Sequence, residues 1–210
     1  MPLYKTLAVN QDIRIYLWKV AEEESELAAP LVLAEYSRIR LQGMKSSLHR
    51  RAYLSIRHLL HIAGYTDDDL YYDSLGKPHL KDGNYISITH SHIFTGIIIS
   101  KEIPVGIDIE KQREKISKIA HKFTDLDYNR DSEEVDLVRK LTVLWGAKES
   151  VYKILSTPGI SFYQHIDITD FDLNKGTTTG RANFETRETH YDISFFEFEG
   201  FTCVYALNGK

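Results

Sequence analysis

One order of elements occurs twice in this chain, and it constrains the fold more than any single residue does. A long stretch with apolar residues at helical spacing is followed by a pair of short strand-like runs. The first helical stretch covers residues 47–63, where Tyr53, Ile56, Leu60 and Ala63 recur on one face and Gly64 supplies a stop. The second covers residues 138–155, with Leu141, Leu144, Trp145, Tyr152 and Leu155 as its apolar stripe and Thr157-Pro158-Gly159 as its end. After the first come strand patterns at 85–89 and 93–100. After the second come short alternating strands over 166–207, ending in the pair 191–197 and 201–207 around Gly200. No residue-level repeat accompanies this order. It predicts an α+β fold of two similar halves, residues 1–104 and 105–210, with Pro104 at the junction and a cleft between them as the natural ligand site.

Further elements fit around that frame. Residues 13–20 read as a strand, and the acidic stretch 22–29 as the opening of a helix. Gly76-Lys77-Pro78 reads as a turn, residues 105–110 as a strand, and the charged segment 116–136 as helical in pieces. With 210 residues the chain has room for a sizeable core. Its net charge of −4 argues against a generally basic nucleic-acid surface. A single cysteine, Cys203, excludes an intrachain disulfide and a cysteine zinc cage and suits a reducing cytoplasm. No apolar run approaches the ~20 residues of a membrane span. Residues 1–20 lack the basic-then-apolar pattern of a signal peptide.

Four local patterns carry chemistry. In Val105-Gly106-Ile107-Asp108-Ile109-Glu110, strand alternation puts Ile107 and Ile109 on one face and Asp108 beside Glu110 on the other. Two adjacent carboxylates call for a cation such as magnesium, or else form an ordinary exposed strand face. In Trp145-Gly146-Ala147-Lys148-Glu149-Ser150-Val151-Tyr152-Lys153, Glu149 and Lys153 share a helix face and Lys148 borders the apolar stripe. A metal or anion site and a surface ion pair both suit that arrangement. The helix opening carries Lys45, His49, Arg50, Arg51, Arg57 and His58, either a phosphate-holding cluster or a solvated basic face. Thr89-His90-Ser91-His92 places two histidines in alternation. Without a cysteine or HExxH partner, a phosphate contact or a structural histidine is favoured over zinc.

Taken together, these segments resemble the 4′-phosphopantetheinyl transferase superfamily, whose signatures are a G-[IV]-D strand and a [WF]-[SCT]-x-K-E-[AS]-x-x-K helix. Gly146 departs from the Ser, Cys or Thr of the helix motif. Gly76-Lys77-Pro78, Ser87-Ile88-Thr89-His90-Ser91 and the arginines 50, 51 and 57 resemble the surfactin-type branch, in which one chain carries both halves and works as a monomer; Ser87 stands where that branch often has Asn, and Thr89 where it has Ser. The resemblance implies coenzyme A as co-substrate, an apo carrier protein as acceptor, and Mg2+ held by Asp108, Glu110 and Glu149. It further implies Glu149 as base and Lys153 as stabiliser of the leaving group. Arg50, Arg51, Lys77, Thr89, His90, Asp108, Lys148 and Lys153 are the implied cofactor contacts. Two other readings compete. A metal-dependent nuclease is disfavoured because Glu149 and Lys153 lie on a helix, not in a strand ExK motif. A non-catalytic carrier or coenzyme A binding module is disfavoured because binding alone needs no acidic triad.

Overall fold

A computed structural model describes residues 3–125 and 134–209. The chain falls into two compact units, Met1–Ile103 and Pro104–Lys210. Each is an antiparallel sheet with helices, so the fold is α+β. Among the described residues no helix is long and apolar enough to cross a membrane.

The first unit holds strands β1 (Leu3–Ala8), β2 (Ile13–Lys19), β5 (Tyr85–Ser91) and β6 (Phe94–Ser100) in one sheet of order β1-β2-β6-β5. A separate hairpin is formed by β3 (Leu70–Tyr72) and β4 (Pro78–Leu80), and the helices are α1 (Glu24–Ala28), α2 (Glu35–Gly43) and α3 (Ser47–Ile62). The expected stripe of α3 is real: Leu54, Ile56, Leu59 and Leu60 join Trp18, Ile86, Ile97 and Ile99 in one core. Ser46 caps the helix, accepting from the backbone N–H of His49.

Strand β1, helix α2 and the short strands β3 and β4 flanking the expected turn at Gly76 lie outside the sequence reading. Strand β1 is an edge strand with no fully buried residue, so it shows no apolar alternation. Helix α2 buries only Ser37, through polar contacts. Ser37 belongs to a buried network in which Arg57 pairs with Asp67 at 3.0 Å, while Ser37 and Tyr53 supply further hydrogen bonds. Arg57 is 3% exposed and its guanidinium stacks on the Tyr53 ring. Its place in the arginine helix is therefore structural: it ties α3 to α2 and to the turn before β3.

The second unit holds β7 (Val105–Lys111), β8 (Ile166–Ile168), β9 (Thr177–Phe184), β10 (Arg187–Phe198) and β11 (Phe201–Asn208), in the order β7-β11-β10-β9-β8. Its helices are α4 (Lys115–Ile119), α5 (Glu134–Leu155) and α6 (Phe162–His165). Part of the segment expected to be helical in pieces, residues 126–133, lies outside the described residues. Strands β10 and β11 meet at Phe198 and Phe201 through Glu199-Gly200, both at positive φ, a two-residue turn that matches strand twist.

Helix α5 packs along β7 and β11, and two glycines set the distance. A Cβ at Gly106 would lie 1.9 Å from the carbonyl oxygen of Ser150, which is backbone and cannot swing aside. A Cβ at Gly146 would lie 2.8 Å from a methyl of Val204 on β11. The Ser150 hydroxyl donates to the Val204 carbonyl and fastens the same crossing. We predict that Gly106→Ala lowers unfolding stability by about 3 kcal/mol, because relief requires moving the helix. Gly43→Ala, at the open end of α2 where nothing approaches within 4 Å, should change it by no more than about 1 kcal/mol in the favourable direction. Denaturant midpoints of the two variants check both statements.

Candidate active site

The close crossing of α5 over β7 decides which side chains meet. Ile107 and Ile109 are buried, as alternation required, but Asp108 is buried too, at 7% exposed. The face carrying Asp108 is therefore not an open strand surface, because α5 lies on it. From α5, Gly146, Ser150 and Lys153 follow one another at helical spacing along that same face.

Lys153 reaches back to the strand. Its ammonium donates to the Ile107 carbonyl at 2.7 Å and to Asp108 Oδ1 at 2.9 Å. The lysine thus supplies the positive charge that a carboxylate in this position requires.

Glu110 and Glu149 gather around Asp108. Burial raises the Glu110 carboxyl to about 7, and the charges of Asp108 and Glu149 add to the rise. The indole N–H of Trp145 hydrogen-bonds Glu110 and works in the opposite direction. Burial also raises Glu149, followed by the charge of Asp108, with Lys153 opposing. The three acids that the sequence grouped from a strand and a distant helix therefore share one electrostatic environment. Among the described residues, however, no three acidic, histidine or cysteine side chains stand close enough to hold an ion as placed. The donor set fits a hard divalent cation, since it consists of carboxylate oxygens alone. The present arrangement instead has the ammonium of Lys153 against Asp108.

Trp145 is the functional neighbour that sequence reasoning counted only as part of an apolar stripe. It stands against Phe123 and Phe162, with ring centroids at 5.2 and 5.4 Å, and these contacts fix the indole that meets Glu110. Trp145 and Glu110 line a groove of about 270 Å3, together with Lys111, Arg113, Lys115 and Ile116. The signal in the sequence was an amphipathic tryptophan at the edge of the stripe.

Lys148 lies elsewhere. It is 5% exposed and donates to the carbonyls of Phe162 and Ile166 at 2.7 and 2.6 Å. Burial lowers its ammonium to about 8. The geometry makes it an internal tie between α5 and the α6–β8 junction.

The other candidates belong to the first unit. Arg50 donates from Nε to both oxygens of Glu24 at 2.8 Å and from Nη1 to the carbonyls of Met44 and Lys45. Arg51 is half-buried, and its Nε has no hydrogen-bond partner among the described residues. Lys77, in the turn between β3 and β4, has its ammonium lowered by burial, with Asp73 opposing. Thr89 is buried on β5, and His90 is exposed beside His49, with ring centroids 6.1 Å apart. His92 does not share the strand face of His90. It lies past the end of β5 at φ 51°, inside the turn to β6.

The raised carboxyls set a pH dependence. Glu110 ordinarily titrates near 4.5 and here near 7. Between those values the folded state keeps a proton that the unfolded chain has lost. Its contribution to stability is therefore complete below about pH 4.5 and is lost as pH rises through about 7. Glu149 acts in the same direction. Metal-free wild-type protein should lose more stability between about pH 5 and pH 8 than Glu110→Gln does. Chemical unfolding of both at the two pH values measures the difference.

No curated protein matches the chain significantly. Residues 104–206 match the family model of the 4′-phosphopantetheinyl transferase superfamily. That stretch is nearly the whole second unit and contains Asp108, Glu110, Trp145, Glu149 and Lys153. The second unit thus carries the match to the 4′-phosphopantetheinyl transferase superfamily, and the activity this match supports is phosphopantetheine transfer in general.

Proposed function

We propose that this protein transfers the 4′-phosphopantetheine group of coenzyme A to a serine of an apo carrier protein in a magnesium-dependent reaction, as a member of the surfactin-type branch. The observation that carries the reading is the joint environment of Asp108, Glu110 and Glu149 inside the unit that matches the superfamily. The serine oxygen forms a bond to the phosphorus of the pantetheine phosphate. The bond from that phosphorus to the bridging oxygen breaks, and 3′,5′-ADP leaves. Asp108, Glu110 and Glu149 would hold Mg2+, which when bound neutralises charge on the pyrophosphate oxygens.

The protein's own residues do the rest. Glu149 accepts the proton of the serine hydroxyl, directly or through a water. Burial raises its carboxyl, which makes it a stronger base than an exposed glutamate. Lys153, which lies against Asp108, would stabilise the departing ADP. Arg51, Lys77 and His90 would contact phosphate oxygens, and of the two helix arginines Arg51 has the less engaged guanidinium. The carrier serine is the nucleophile, so no nucleophile from this chain is required. Lys111, Arg113 and Lys115 around the Glu110 groove suit an acidic carrier.

The test is to mix the protein with coenzyme A, Mg2+ and apo carrier proteins of the acyl, peptidyl and polyketide types, and to read intact masses. One or more carriers should gain a single phosphopantetheine; no gain on any of them contradicts the reading. Glu149→Ala should slow transfer by at least about 100-fold while sparing the fold. Calcium in place of magnesium should also slow transfer sharply, because calcium takes longer and looser coordination. Equal rates with the two ions would remove the pyrophosphate clamp from the mechanism.

A further inference from the structure

The two oxygens of Asp108 are not equally open to an incoming ion. Oδ2 has essentially no accessible surface and lies 3.7 Å from the point where a Cβ of Gly146 would be, under α5. An ion that reaches Asp108 without disturbing the helix therefore has to meet it at Oδ1. That oxygen accepts from the Lys153 ammonium at 2.9 Å. A second donor of the same ammonium goes to the Ile107 carbonyl at 2.7 Å, so two of its three donors are used by β7. The Lys153 charge also reaches the other two acids, since it opposes the rise of both Glu110 and Glu149. Its side chain is 26% exposed, and a flexible stem of that kind can carry the ammonium outward without moving α5.

Two cations at one carboxylate oxygen repel each other, and water screens that repulsion poorly beside a buried group. We infer that Lys153 is the internal counter-ion of this acidic set, and that a divalent ion enters only by displacing its ammonium from Asp108 Oδ1. The inference rests on the cation site proposed above and adds how entry to that site is controlled. Removing the lysine charge should therefore help the ion, although Lys153 serves the proposed transfer. Phosphate oxygens that arrive with the ion give the displaced ammonium new acceptors, so ion and phosphate enter together more readily than the ion alone. The same lysine then turns from the strand to the leaving group.

The probe is Mn2+, titrated into the full-length wild-type protein, Lys153→Met and Lys153→Arg, with the free ion read by electron paramagnetic resonance. Lys153→Met keeps the reach of the side chain and removes its charge, and it should bind Mn2+ at least about tenfold more tightly than wild type. Lys153→Arg keeps the charge and should bind no more tightly than wild type. Equal or weaker binding by Lys153→Met overturns the inference and leaves the cation site standing. Mn2+ bound by neither wild type nor Lys153→Met overturns the cation site together with it. If Lys153→Met does not fold, the wild-type protein decides. Acetic anhydride should modify Lys153 several-fold faster at the Mn2+ concentration that saturates the titration than without the ion, while Lys148, tied to two carbonyls, stays slow in both. Unchanged modification of Lys153 contradicts the displacement.

Discussion

Helix α5 rests on strand β7 at a distance that position 106 permits only without a side chain, and the candidate site depends on that contact. The Ser150 carbonyl sits where the Gly106 Cβ would be. Because the helix comes so near, Glu149 enters the field of Asp108 and the Lys153 ammonium bridges to the strand. A wider crossing would leave the same residues as separate surface charges, each worth little. Gly146 belongs to the same device. It departs from the usual Ser, Cys or Thr of the helix motif, and the tight approach of Val204 on β11 is what a glycine accommodates there.

Gathering acids under a helix creates an electrostatic cost, and the structure answers it in two ways. Lys153 supplies a positive charge to Asp108. Burial, with the charge of Asp108 adding to it, makes Glu110 and Glu149 hold their protons to higher pH. A divalent cation would favour the ionised forms of all three, so ion binding at this site would release protons. Trp145 keeps Glu110 from drifting, since the indole that meets it is wedged between Phe123 and Phe162.

Much of this was legible in the sequence where periodicity and turn chemistry speak plainly. The stripes of α3 and α5 and the hairpin at Gly200 came from spacing, and so did the side-by-side placement of Asp108 and Glu110. Strand β1 was not legible, because an edge strand has no buried face to leave an alternation. Nor was α2, whose one buried residue is Ser37. Three charged residues hid their roles for a common reason: a basic side chain is written the same way whether it meets solvent, a ligand or the interior. Arg57 closes a buried pair with Asp67, Lys148 ties two carbonyls, and Arg50 is held by Glu24 and two carbonyls. His92 lost its alternation with His90 because the chain turns one residue after β5 ends.

The central claim is that Asp108, Glu110 and Glu149 form one cation site. Electron paramagnetic resonance of Mn2+ added to the wild-type protein and to Asp108→Asn tests it without reference to any reaction. The account predicts one bound ion per wild-type chain and its loss in the variant, with the fold intact. Mn2+ bound equally well by both proteins would contradict it.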